Sequence, residues 1–380
     1  MLTVAVICDV LGSANNGTTI AALNLIDSLR SKGHDVRVVC PDTERSGEPG
    51  WYVVPCYDFG IFNGYMRKNG VVPAKADSKI LESAVAGADV IHVMLPFSLG
   101  AAAACYASEH GIPLTAGFHC QAENITSHIY IKGFTPANRL VYRIFYKRLY
   151  RYCSCIHYPT QFICDVFENI VGPTPHRIIS NGVSRSFRPG ESEKHSDGLI
   201  TIVFTGRYSP EKSHDVLVDA VAMSKYKDRI RLIFAGSGPR KNAILRRAKR
   251  RGIREPEMRF FSRGELVGIM QSADLYVHPA DIEIEAIACL EAIACGCVPV
   301  ISDSPKSATR YFALTGNNLF RHGDPKDLAD RIDWWLDRPD EMRICSERYV
   351  GYAKQFDFGN CMDAMENMLL EAAGEKKHEA

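Results

Sequence analysis

The sequence predicts an α/β chain of two doubly wound domains, each a parallel sheet covered by helices on both faces. Three observations carry that reading. The chain has 380 residues, more than one typical core serves. Short apolar runs bounded by turn residues alternate with longer helix-like segments, as parallel sheets require. The alternation stops at the polar stretch NGVSRSFRPGESEKHSDG, from Asn181, and then starts again.

Taken in order, TVAVICDV is the first strand, LGSANNGTT a polar loop, IAALNLIDSLRSKG an amphipathic helix closed by Gly33, and DVRVVC the second strand. Further strands are expected at DVIHVM, IPLTAGFH, CIHYP and HRIIS, with helical segments between most of them. These make a first domain over 1–185. After the polar stretch, LITIVFTG, RLIFAG, MRFF, LYVHP and VPVIS read as buried strands of a second domain over 198–355. A C-terminal helix over 356–373 is expected to pack back on the first domain, and 374–380 to fray.

Composition excludes several classes. Lys plus Arg number 45 against 44 for Asp plus Glu, so net charge supplies no argument for a nucleic-acid partner. The 13 cysteines are scattered among apolar runs without a CxxC pair, which reads as small core residues in a reduced compartment and not as a zinc or redox motif. The opening MLTVAVICDV lacks a basic start and runs into a glycine loop, so it reads as a strand and not as a signal peptide. No apolar segment approaches the roughly 20 residues that span a bilayer.

Ligands of open α/β sheets bind at the carboxyl ends of the strands, so the loops there are where chemistry is sought. The first loop, Leu11 to Thr19, precedes a helix N-terminus that favours an anion, with Gly12 and Gly17 permitting close approach. It has neither GK[ST] nor GxGxxG, and an ordinary tight turn is the alternative. The second loop, FTGRYSPEKSHD, carries Arg207 and Lys212, which could converge on a diphosphate or could be surface charge. The third, DIEIEAIACLEAIACG, spaces Glu283 and Glu291 eight apart, about 80° around a helix if one helix covers both. Glu291 sits among Ile287, Leu290 and Ile293, where an unpaired charge is costly. A vicinal diol offers two donors that suit one carboxylate; an internal ion pair is the alternative.

Gly206–Arg207, Glu211–Lys212, NGV followed by FRP from Asn181, AGSGP from Ala235, and E-x7-E running into LEAIACGCVPVISD together resemble the GT-B glycosyltransferases of family 4. The likeness covers nearly all of the second domain and, more loosely, the first. It implies two Rossmann-like domains facing a central cleft and a retaining transfer from a nucleotide sugar. By the resemblance Arg207 and Lys212 hold the donor diphosphate, Glu283 faces the donor sugar, and Glu291 holds the ribose. The donor site then includes Gly12, Asn16, Gly17, Gly236, Glu285, Ala286 and Ile287, and His119 stands beside the sugar in the acceptor half. The family commonly has E-G-F-G after the first glutamate; here Ile284, Glu285 and Ala286 follow Glu283. Glu285 is therefore a second candidate for the role of Glu283. No cofactor or metal is expected beyond the nucleotide-sugar donor, with UDP-glucose as the type case.

From Asn124 to Cys164 there is no acidic residue, and Arg139, Arg143, Lys147 and Arg148 alternate with aromatics. A second acid-free run from Pro239 contributes Arg246, Arg247 and Arg250. Such segments suit an anionic membrane surface, with a solvated helix face as the alternative. With FHCQAENI at Phe118, the chain is similar to bacterial diacylglycerol glucosyltransferases. A cytoplasmic enzyme lying on the inner face of the cell membrane and using a lipid acceptor is expected. A polysaccharide or lipid-linked oligosaccharide acceptor stands beside it, as does a catalytically silent nucleotide-sugar binder.

Overall fold

The computed structural model describes residues 1–11, 17–58, 60, 73–123, 135–190 and 198–379, with side chains described as far as residue 374. The chain divides into two compact units, Met1–Asn181 with Asn360–Ala380, and Gly182–Gly359.

The first unit contains β1 (Thr3–Ile7), α1 (Gly17–Ser31), β2 (Asp35–Cys40), β3 (Trp51–Val53), α2 (Ser78–Val85), β4 (Val90–Val93), α3 (Ser98–His110), β5 (Leu114–Gly117), α4 (Thr135–Arg148), β6 (Cys155–Tyr158), α5 (Gln161–Val171) and β7 (His176–Ile178). The sheet order is β3-β2-β1-β4-β5-β6-β7, every pair parallel. Strands β4 and β5 are buried at every residue, as a sheet covered on both faces requires. At the end of β1 the buried Asp9 accepts from Leu99 N at 2.7 Å and Gly100 N at 2.8 Å, fixing the start of α3. A Cβ on Gly100 would meet Leu95 O at 2.3 Å, so only glycine fits there.

The second unit contains β8 (Ile200–Thr205), α6 (His214–Met223), β9 (Ile230–Ala235), α7 (Lys241–Arg251), β10 (Glu257–Arg259), α8 (Arg263–Ser272), β11 (Leu275–His278), α9 (Ile287–Ala294), β12 (Pro299–Ser302), β13 (Leu319–Phe320), α10 (Pro325–Leu336) and α11 (Pro339–Ala353). Its parallel order is β10-β9-β8-β11-β12-β13. The polar stretch from Asn181 is more than a tether: Val183 and Phe187 are buried in the second core, and Val183 N donates to Phe356 O at 2.7 Å.

The last helix, α12 (Phe358–Glu379), belongs to the first unit from Asn360 onward and extends past residue 374. Met362, Met365, Met368 and Leu369 are buried on it. Lys32 pairs with Asp363 and Glu366 at 2.5 Å each, and His34 Nε2 meets Glu366 at 2.8 Å. Among the described residues no helix is long and apolar enough to cross a membrane.

Candidate functional site

The loops at the carboxyl end of the second sheet are locked to one another before any ligand enters. Gly206 N donates to Ala235 O at 3.0 Å, Tyr208 N to Ser237 O at 2.9 Å, and Arg240 N to Tyr208 O at 3.1 Å. The AGSGP glycines allow this approach: a Cβ on Gly236 would lie 2.2 Å from Gly206 O, and one on Gly238 would lie 2.6 Å from Tyr208 N. Tyr208, buried, donates its hydroxyl to Phe234 O at 2.7 Å. Arg207 is thus carried half-buried on a rigid loop after β8.

Lys212 and Glu283 meet directly. The Lys212 ammonium donates to Glu283 Oε1, and His278 Nε2 lies 3.0 Å from the same oxygen. A carboxylate only accepts, so Nε2 of His278 carries the proton. Its Nδ1 then accepts from the Tyr276 hydroxyl at 3.3 Å. Burial raises the pKa of Glu283, but the Lys212 charge and the His278 hydrogen bond outweigh it and bring the carboxyl down to about 2. Glu283 is therefore a fixed negative charge with a defined orientation. Its backbone is pinned too, in a bridge to Ser307 with Ala308 N donating to Glu283 O at 2.9 Å.

One helix does not cover both glutamates. Helix α9 begins only at Ile287, and Glu283 lies in the bridged loop before it. The reason is Ala286, which adopts φ 58° and ψ 61°, a left-handed conformation that cannot continue a right-handed helix. Ala286 thus keeps the left-handed conformation although it has no glycine. Glu285 is buried, and Ile287 opens the helix half-buried. Glu291 is half-buried on α9, with no hydrogen bond or ion pair to its carboxylate among the described residues. Burial pushes its pKa up to about 7, opposed only in part by the charge of Arg263.

In the first unit, Gly12 and Asn16 lie outside the described residues. Gly17 opens α1, and a Cβ there would meet nothing within 4 Å. His119 follows β5 with its ring folded over Gly117, whose Cβ would come within 2.4 Å of Nε2. Its Nε2 is buried without a partner among the described residues, and its ring lies edge-on to His157 with centroids 5.4 Å apart. Burial holds the pKa of His119 well below the usual imidazole range, so the ring is neutral. His92 Nε2 and His157 Nδ1 are likewise buried and unpartnered, and all three rings line one small cavity with Met94 and Met362.

Among the remaining candidates, Arg247 is corrected. With Arg251 it forks onto Asp219, Nε and Nη2 of Arg247 lying 2.7 and 2.5 Å from the two carboxylate oxygens, so its guanidinium is committed within the unit. Arg246 and Arg250 are exposed. Sequence reasoning missed His278, which the burial of Glu283 requires; the available signal was a histidine at a strand's end just before the acidic loop. Among the described residues, one group has metal-ligating atoms close together, Cys164, Glu168 and His176. Its atoms already satisfy one another, His176 Nδ1 lying 2.9 Å from Glu168 Oε1 and Nε2 3.7 Å from Cys164 Sγ.

Comparison with known proteins bears on this arrangement. Residues 190–351 match the family described as glycosyl transferases group 1, and residues 15–187 match glycosyltransferase family 4. The chain is similar to an alpha-monoglucosyldiacylglycerol synthase of Streptococcus pneumoniae, 24% identical over 76% of this chain and 68% of the relative. It is similar to a GDP-mannose-dependent alpha-mannosyltransferase of Corynebacterium glutamicum, 25% identical over 88% of this chain and 81% of the relative. In fold it resembles HepE of Anabaena, solved with UDP and glucose, at TM-score 0.76 and 16% identity over 98% of this chain and 100% of the other.

Proposed function

The chain belongs to the GT-B glycosyltransferases of family 4, enzymes that move a sugar from a nucleotide sugar, and on that premise we propose that it transfers a hexose, with retention, from a UDP-hexose such as UDP-glucose to an acceptor hydroxyl. The acceptor in this reading is a membrane lipid such as diacylglycerol, in keeping with the lipid-glucosylating relative of Streptococcus pneumoniae. One observation supports the donor assignment above the others. The carboxylate of Glu291 is without a partner in an otherwise apolar helix, in the unit that also holds the Lys212–Glu283–His278 group. The ribose hydroxyls supply the two donors it lacks.

In the proposed mechanism Arg207 and Lys212 neutralise the departing nucleoside diphosphate. An ammonium has three N–H donors, so Lys212 can keep Glu283 and still reach a phosphate oxygen. The first amides of α9, with no acceptor inside the helix, add to that charge stabilisation. Glu283, ionised and rigid, stands toward the sugar, where positive charge develops at the anomeric carbon. Glu285, Ala286 and Ile287 form the adjoining wall, Gly236 holds the loop behind Arg207, and the neutral His119 serves as a hydrogen-bonding group in the acceptor half. Catalysis then rests on positioning and charge stabilisation without a protein nucleophile.

Turnover of labelled nucleotide sugars, followed by transfer to lipid and glycan acceptors, tests the reading. The donor panel includes GDP-mannose, given the mannosyltransferase relative. Donor binding without turnover would leave only a silent nucleotide-sugar binder. Arg207→Ala is expected to lower kcat/KM about 30- to 1000-fold, the range for one preorganised donor of roughly 2–4 kcal/mol. An unchanged kcat/KM would remove Arg207 from the leaving-group site.

A further inference from the structure

We propose that the solvent face of α4 is a docking surface for an anionic phospholipid bilayer. This deepens the lipid-acceptor reading by naming where the protein meets its substrate's membrane.

The helix is held from one side. Asn138, Tyr142 and Phe145 are buried, and Leu149 just beyond them is fully so. Tyr142 donates to Glu123 Oε2 at 2.7 Å, Asn138 Nδ2 to Glu123 Oε1 at 3.1 Å, and Phe145 packs edge-on against Phe97. At about 100° per residue the opposite face presents, in angular order, Arg139, Arg143, Lys147, Leu140, Ile144 and Arg148. All are exposed, Leu140 by 59% and Ile144 by 40%. Two apolar side chains are therefore flanked on both sides by cations, the arrangement of a helix that lies in a lipid headgroup region.

Unmatched charge and exposed apolar surface together separate this face from an ordinary solvated helix. Some exposed helix cations are matched one turn away, as in Lys326 with Asp330 and Arg343 with Glu347. Arg139, Arg143, Lys147 and Arg148 have no carboxylate partner among the described residues, and Glu123, the acid that holds the inner face, accepts from Asn138 and Tyr142 there. Helix α7 is the internal contrast. It is more basic, with Arg247 and Arg251 sharing the one Asp219 carboxylate, but it exposes no large apolar side chain. Unmatched charge and exposed apolar surface coincide on α4, and a bilayer of negative headgroups over hydrocarbon complements both.

Sedimentation with phosphatidylcholine vesicles, with and without phosphatidylglycerol, tests this without donor present. The full chain is expected to pellet with the anionic vesicles only, and less as salt rises. Each cation removed is expected to weaken binding about fivefold, so Arg143→Gln with Lys147→Gln lowers it about 25-fold. Leu140→Ser with Ile144→Ser is expected to weaken binding while leaving the salt dependence intact. Unchanged melting temperatures establish that both variants fold. Wild-type protein that ignores anionic vesicles, or a charge variant that binds like wild type, overturns the proposal; so does binding to polyanions such as heparin with none to vesicles. Transfer to diacylglycerol dispersed in detergent micelles is measured separately. Wild-type protein that transfers fully in micelles but binds no vesicles would refute the docking face alone, whereas vesicle binding without any lipid transfer would refute the acceptor.

Discussion

Glu291 is a titratable carboxyl set in an otherwise apolar helix of the second unit. Its folded pKa of about 7 lies above the ordinary 4.5, so the fold favours the protonated form. The sign follows directly. The carboxyl is harmless to the unliganded fold below its unfolded pKa, and its cost grows as pH rises from 4.5 through about 7, above which it is charged without a partner. Glu291→Gln is therefore expected to stabilise the unliganded protein at about pH 8 by roughly 1–2 kcal/mol, and not at about pH 4, discounting the full shift because the residue keeps part of its surface in water. The same variant is expected to weaken nucleotide binding, since an amide accepts less well from two hydroxyls. Thermal melts at both pH values, with and without UDP, check this; an equal gain at both would show that the charge is not the cause.

At the scale of one element, the start of α9 decides where the two glutamates stand. A strictly helical reading of the segment would set Glu283 and Glu291 on one cylinder, but the left-handed Ala286 separates a bridged loop from an eight-residue helix. The apolar periodicity was legible; the break was not, because alanine is the residue least expected to mark it. Ala286→Gly is expected to stabilise the fold by about 1 kcal/mol, as the left-handed conformation costs a Cβ about that much. Chemical denaturation measures this, and a destabilisation would mean that the Ala286 methyl packs for more than its strain costs. Short edge strands escaped notice for a related reason. Strand β3 is three residues long and β13 two, too few for an apolar run to stand out. The longer buried strands, such as DVRVVC and LITIVFTG, were legible because burial on both faces demands an unbroken apolar run.

For the molecule as a whole, the return of α12 to the first unit is the largest consequence of tertiary structure. The buried face of α12, Met362, Met365, Met368 and Leu369, comes from a segment that follows the entire second unit in sequence. Each buried side chain of this size is worth about 1.5–3 kcal/mol, and their sum rivals the stability of an ordinary domain. A chain ending at Gly359 is expected to lose cooperative melting of the first unit, or to aggregate. Calorimetry of the full and shortened chains decides it, and an unchanged first transition would show that the first unit does not depend on α12.

By itself the sequence determined the two doubly wound sheets and marked Arg207, Lys212, Glu283 and Glu291 as candidates at or just beyond the carboxyl ends of the second sheet's strands. It did so because apolar runs, glycine loops and a charge set in an apolar helix each leave a local mark. Tertiary structure alone decided which groups meet. His278 stands behind Glu283, Asp219 takes Arg247 out of the basic surface, and Glu123 ties down the inner face of α4 while its outer cations stay unmatched. The contact of Lys212 with Glu283 joins residues 71 positions apart along the chain, and no local pattern encodes a distance that only the folded sheet closes.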